Sequence, residues 1–243
     1  MKTGIFYGIG VGPGDPELIT VKAINILEKV DIIFHAVSRQ STQSTSGSVI
    51  DSLDNISAER QELIFAMTKN SSDKKKYIAK NTGYIHKKLK SGLNCAFTTI
   101  GDPLTYSTYG YIIKELIKLD PELEIKTIPG VNSWSALCAA SNTILTEDQE
   151  QLCIIPSYVN PKDDRFDNIL QDRQSTVFLK TYRTRNNIIE KIRKQSQEFS
   201  ITYGSNIGCE NQFISNDLEE ILPRDNEYLS MLIVKKKNQS EKK

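Results

Sequence analysis

Asp102 lies between Gly101 and Pro103 and is followed within six residues by the phenol of Tyr106 and the hydroxyls of Ser107 and Thr108. A carboxylate in that setting can take a proton from a substrate carbon, cap the backbone that follows it, or do both. Two further breaks have the same composition: Gly12-Pro13-Gly14-Asp15, and Pro129-Gly130-Val131-Asn132-Ser133. Lys180 closes the apolar run Thr176 to Leu179, where its ammonium could pair with a ligand carboxylate or end the strand in water. No Gly-Lys-Ser/Thr follows the N-terminal glycines, which excludes a nucleoside-triphosphate loop, and Pro13 departs from the dinucleotide fingerprint. Cys95, Cys138, Cys153 and Cys209 are far apart, with only His35 and His86 as imidazoles, so no metal centre is expected.

The elements that must hold these residues follow from apolar spacing. Ile5 to Val11 reads as a buried strand. Asp15 and Pro16 then open a helix whose apolar positions are Ile19, Ala23, Ile26, Leu27 and Val30. Asp31 to Ala36, Leu63 to Met67, Asn94 to Ile100 and Leu123 to Ile128 read as further strands, with helices over about Lys75 to Ser91, Leu104 to Leu119 (Tyr106, Tyr109, Ile113, Leu116 and Ile117 as candidate buried positions) and Ser133 to Ser141. This alternation predicts an α/β fold with an open sheet, and in such sheets ligands bind outside the carboxyl ends of the strands. All three breaks fall at such ends. Ser38 to Ser48, rich in hydroxyls, reads as a long exposed loop.

After a polar hinge at Thr143 to Glu150, strands are expected at Gln151 to Pro156, Thr176 to Lys180, Ser200 to Tyr203 and Tyr228 to Lys235. Helices are expected at about Asp164 to Gln171 and Arg185 to Gln195. Two domains are expected, 1–128 and 129–235, with 236–243 a disordered basic tail lacking apolar side chains. Across the 243 residues, 38% are hydrophobic and the formal net charge is +1, which gives no electrostatic case for nucleic acid. No stretch is apolar enough to span a bilayer, and no signal-type segment precedes the first strand, so a cytoplasmic location without membrane contact is expected.

Gly-x-Gly-Pro-Gly-Asp at residues 10–15, Thr99-Ile100-Gly101-Asp102-Pro103-Leu104-x-Tyr106-Ser107-Thr108 and Pro129-Gly130-Val131-x-Ser133 together resemble the tetrapyrrole (corrin/porphyrin) methylases. Gly-Asp-Pro-Leu-x-Tyr-Ser-Thr, Pro-Gly-Val-Asn-Ser-Trp-Ser-Ala and the strand end Val177-Phe178-Leu179-Lys180, with Arg183 nearby, are similar to the subgroup that methylates C20 of precorrin-2 or cobalt-factor II in cobalamin synthesis. The resemblance covers residues 4–235. It departs at 37–46, where a hydroxyl-rich stretch stands, and at Gly204-Ser205-Asn206, where the subgroup carries a Val-Glu-Arg-like sequence.

The resemblance implies two α/β domains with the active cleft between them and S-adenosylmethionine as cofactor. It implies cofactor contacts at Gly101, Asp102, Leu104, Tyr106, Ser107, Thr108 and Ser133, with Asp102 as the candidate proton acceptor. Gly12, Pro13, Gly14, Asp15 and Lys180 would border a tetrapyrrole substrate. A homodimer is implied as well, with Tyr109, Tyr111 and Trp134 as candidate interface aromatics. The alternatives are methylation at another macrocycle position (C4/C11, or uroporphyrinogen III) and a non-catalytic binding module of the same fold.

Overall fold

Five strands of the computed structural model run parallel in the order β3-β2-β4-β1-β5. They are β1 (Phe6–Gly10), β2 (Ile32–Ser38), β3 (Glu59–Phe65), β4 (Cys95–Thr99) and β5 (Ile125–Ile128). The residues described are 2–38, 44–65, 71–156, 168–170, 174–195 and 199–237. The chain divides into two units, Met1–Asn132 and Ser133–Lys243, the first built on this sheet. Strands buried on both faces need helices on both, and the chain supplies them as crossovers. Helices α1 (Val21–Leu27) and α2 (Thr45–Asp51) cover one face, whose core is Ile9, Val11, Ala23, Leu27, Ile33, Val49, Ile50 and Ala96. On the other face α3 (Ser71–Lys90) and α4 (Tyr109–Leu119) bury Phe6, Phe34, Phe97, Ile85, Leu89, Tyr109, Ile112 and Leu116.

The second unit holds α5 (Ser133–Ser141) and a mixed sheet in the order β6-β7-β10-β8-β9. Its strands are β6 (Leu152–Pro156), β7 (Ser175–Leu179), β8 (Phe199–Ser205), β9 (Phe213–Ser215) and β10 (Ser230–Lys236). β6 and β7 are parallel; β10 lies antiparallel between β7 and β8. Helix α6 (Arg185–Arg193) packs Ile188, Ile189 and Ile192 into a core with Phe178, Tyr203 and Leu232, and the short α7 (Leu218–Ile221) adds Ile221.

Several expectations are corrected. Asp15 does cap a turn, accepting the Glu17 N–H at 2.9 Å, but the turn is a 3-10 segment, Pro16–Leu18. Helix α1 starts later, at the Thr20 cap. The expected loop 38–48 contains the start of α2, because Ser44 caps it through the Gly47 N–H while Val49 and Ile50 are buried. The helix expected from Leu104 starts at Tyr109, since Tyr106 has φ +52, which a helix cannot accommodate. β3 begins at Glu59 rather than Leu63. Lys236 belongs to β10, paired with Phe199, so the expected tail cannot start there; residues 238–243 lie outside those described. Of the helix expected at 164–171, only 168–170 are described, and they are helical.

Candidate active site

The three breaks of the first unit meet at the carboxyl ends of β1, β4 and β5. Beyond β1 and β4 the two chains stay paired: the Val11 N–H donates to Thr99 O at 3.0 Å, and the Gly101 N–H to Gly12 O at 2.7 Å. Gly101 can make that turn because it takes φ +71, in the left-handed region. The third break closes against the other two so tightly that side chains are excluded. A Cβ on Gly10 would lie 2.5 Å from Gly101 O and 2.6 Å from Gly130 N. Three backbones thus approach closely, with no room for a side chain between them.

Asp102 ties the junction together. Its Oδ1 accepts from the Leu104 N–H at 2.9 Å and the Thr105 hydroxyl at 3.2 Å, forming a turn of the kind aspartate side chains make with the backbone two residues on. Its Oδ2 accepts the Gly130 N–H at 3.3 Å, joining the second break to the third. The capping role expected on a helix from Leu104 therefore falls on this turn. A carboxylate has about four acceptor positions, so three donors leave one unused. Ser107, just before the Thr108 cap position of α4, accepts the N–H of the first helical residue, Tyr109, on its Oγ at 3.0 Å.

Around the junction, Leu104 and Tyr106 are exposed, Ser107 and Thr108 are half-buried, and Pro13 is buried beside Gly12. The buried Thr99 Oγ1 has no hydrogen-bond partner, and beside Gly101 lies open space, the nearest atom to an added Cβ being Val131 O at 4.0 Å. Tyr109, expected at a subunit interface, is fully buried: its ring lies over Gly8 and its hydroxyl meets Thr127 Oγ1 at 2.8 Å. Tyr111 is exposed and Trp134 half-buried.

Ser133 and Lys180 belong to the second unit. Ser133 opens α5. Lys180 follows β7 with φ +58 and leads into a 3-10 turn, Thr181–Arg183, which the Thr181 hydroxyl pins to Ser230 Oγ at 3.1 Å. Beside it Tyr182 packs on Tyr228 (ring centroids 5.3 Å apart), and the Arg183 guanidinium lies 5.1 Å from the Tyr182 ring. Only Lys180 and Arg183 of this cationic and aromatic group had a sequence signal. The rest depends on β10 returning beside β7.

Sequence reading also missed a buried guanidinium. Arg185, 4% exposed, donates from Nη2 to Arg224 O at 2.5 Å and Leu222 O at 3.4 Å, and from Nη1 to Asp225 O at 3.2 Å. It closes the end of α7. Among the described residues no three His, Cys, Asp or Glu side chains gather, and no helix is long and apolar enough to cross a membrane.

A parallel sheet with three glycine turns converging at its carboxyl edge is the arrangement at which open α/β proteins bind small ligands. The chain belongs to the tetrapyrrole (corrin/porphyrin) methylases, whose family model matches residues 6–222. It is 35% identical, over 95% of both chains, to a probable cobalt-precorrin-2 C(20)-methyltransferase of Methanocaldococcus jannaschii. It is 28% identical to the cobalt-precorrin-2 C(20)-methyltransferase of Salmonella typhimurium, over 74% of this chain and 73% of that one. Among solved structures, it superposes on uroporphyrin-III C-methyl transferase from Thermus thermophilus, complexed with S-adenyl homocysteine. The TM-score is 0.66 at 18% identity, over 96% of this chain and 92% of the other.

Proposed function

We propose that this protein is an S-adenosylmethionine-dependent methyltransferase that methylates C20 of precorrin-2 or its cobalt complex in cobalamin synthesis. The observation that carries the reading is the 35% identity over 95% of both chains to a probable enzyme of that activity. The first unit's site suits the cofactor. Beside Gly101 there is open space, and the half-buried Ser107 and Thr108 offer neutral hydroxyls near it for its amino-acid and ribose groups. Leu104 and Tyr106 offer exposed apolar surface beside it.

When bound, S-adenosylmethionine supplies a methyl group activated on a sulfonium. An in-line displacement of that kind asks the protein chiefly for alignment and exclusion of water. The rigid junction of Gly10, Gly101 and Gly130, clamped by Asp102, provides the alignment. Asp102 has a second duty in this reading: its unused acceptor position takes the proton that C20 releases as the methyl group replaces it. Gly12, Pro13, Gly14 and Asp15 line the substrate edge, and Lys180 pairs with a macrocycle carboxylate. Ser133 contributes a hydroxyl to the cofactor. The working form in this reading is a homodimer in the cytoplasm.

The test is a turnover assay. S-adenosylhomocysteine should accumulate when S-adenosylmethionine is supplied together with precorrin-2 or cobalt-loaded precorrin-2, and not with either reactant alone. Cofactor binding without release of S-adenosylhomocysteine on any tetrapyrrole would instead indicate a non-catalytic binding module.

A further inference from the structure

Gly8 sits in the middle of β1, between β4 and β5, where a glycine weakens a strand and marks a close approach by another group. That group is Tyr109. A Cβ on Gly8 would collide with Tyr109 Cζ, so the ring occupies the place of the missing side chain. The register partners of Gly8 are Phe97 on β4 and Thr127 on β5. The Tyr109 ring stacks on that of Phe97, with centroids 6.3 Å apart and planes at 27°, and its hydroxyl meets Thr127 Oγ1 at 2.8 Å. One side chain thus spans three strands along a single row of the sheet.

Packing does not account for the hydroxyl, because phenylalanine would fill the same space beside Phe6 and Phe97. What the hydroxyl adds is a second fixed point for the segment that leads from β4 into α4. At the near end of that segment, Asp102 Oδ2 accepts the Gly130 N–H at 3.3 Å. At the far end Tyr109, the first residue of α4, is tied to Thr127. Both ties land on one short stretch, Thr127 to Gly130, at the end of β5. Between them Tyr106 is held at φ +52, a conformation that costs a bulky residue free energy and persists only where the surroundings impose it. A segment pinned at both ends can impose it.

We propose that Tyr109 is a positioning residue for the cofactor. Its hydroxyl fixes the far end of segment 101–108 against β5, and Gly8 makes room for it, so that the segment keeps one shape for S-adenosylmethionine before the ligand arrives. The proposal rests on the methyl-transfer reading above. Preorganisation of this kind acts on affinity. With the tie cut, the competent shape is populated only part of the time, and the apparent dissociation constant rises by the inverse of that fraction. Gly8 therefore serves Tyr109 and not a ligand, although it opens the run Gly8-x-Gly10-x-Gly12.

The test compares Tyr109→Phe, Thr127→Val and the double variant with Ile112→Val, which trims the same core one turn along α4 without touching either tie. Three quantities are measured: stability in urea, affinity for S-adenosylmethionine by calorimetry, and hydrogen exchange at the amides of Thr105 to Tyr109. For Tyr109→Phe and for Thr127→Val the affinity should fall about fivefold, the equivalent of one lost hydrogen bond, and exchange should speed up. The double variant should bind no more weakly than either single one, because both cut the same tie. Ile112→Val should lower stability and leave affinity within about twofold of wild type. An affinity within twofold of wild type in Tyr109→Phe overturns the proposal and leaves the hydroxyl to the core alone. An equal fall in Ile112→Val, or additive losses in the double variant, also overturns it. If wild type binds no S-adenosylmethionine, the methyl-transfer reading has failed instead. Exchange then still decides whether Tyr109 holds the segment, and an unchanged rate in Tyr109→Phe overturns the proposal.

Discussion

Replacing Gly10 by alanine tests whether the three-turn junction is as tight as its geometry requires. The new Cβ would sit 2.5 Å from Gly101 O, 2.6 Å from Gly130 N and 2.7 Å from Gly130 Cα. Every one of these is a backbone atom, so no side-chain rotation can relieve the overlap, and the turns must part by about 1 Å to restore ordinary contact distances. Forced backbone shifts in a packed interior typically cost ~1–3 kcal/mol, and the upper end is expected with three neighbours all fixed. The same movement stretches the Gly130 N–H bond to Asp102, already 3.3 Å long, and displaces the turn at Gly101. Gly83→Ala is the control. Gly83 lies mid-way along α3 with nothing within 4 Å of an added Cβ, so that change should stabilise by ~0.5–1 kcal/mol. Urea unfolding gives both energies, and calorimetry gives the affinity for S-adenosylmethionine, which should fall about tenfold or more in Gly10→Ala only. A Gly10→Ala protein as stable as wild type, with unchanged affinity, would refute the reasoning.

Asp102→Asn cannot serve Gly130 N and Leu104 N together, because one amide position becomes a donor. The expected loss is ~1.5–3 kcal/mol of stability, measured in urea, with weaker cofactor binding. If Asp102 also takes the C20 proton, kcat at saturating cofactor and tetrapyrrole should fall on the order of 10²-fold; a kcat that persists there would leave Asp102 with the turn alone. Burial, helped by the Arg60 guanidinium, pushes the His35 imidazole down from 6.5 to about 4. The unfolded chain therefore binds the extra proton between those values, and stability should fall by about 3 kcal/mol as pH drops from 6.5 to 4, a slope that His35→Leu removes from the pH dependence of urea midpoints. Arg185→Met should cost ~3 kcal/mol or more in urea, since the carbonyls of Leu222, Arg224 and Asp225 lose buried charge-assisted donors.

What was legible in the sequence was local. Gly, Pro and Asp mark the three breaks by backbone chemistry that acts within a few residues, so their positions at strand ends could be read before their convergence was known. What was missed depended on partners far along the chain. Nothing near Tyr106 signals φ +52, so the pattern places the start of α4 five residues before the observed one at Tyr109. The serines around α2 read as loop because the stretch is poor in apolar residues, and the contact that buries Ser46 comes from Thr98, about fifty residues away. Tyr109 reads both as a buried helix position and as an interface aromatic; the structure takes the first, because Gly8 leaves space on β1 for its ring and Thr127 Oγ1 meets its hydroxyl. The short β9 and α7 carry too few residues for a periodic pattern, and α7 is held at its end by Arg185 from another element.

The measurement closest to the central claim is the position of the transferred methyl group. S-adenosylmethionine labelled with carbon-13 in its methyl group is incubated with the protein and with precorrin-2, metal-free or cobalt-loaded, and the product is read by mass and carbon NMR. The account predicts one added labelled methyl, on C20. A label on any other macrocycle carbon, or a macrocycle of unchanged mass, would contradict it.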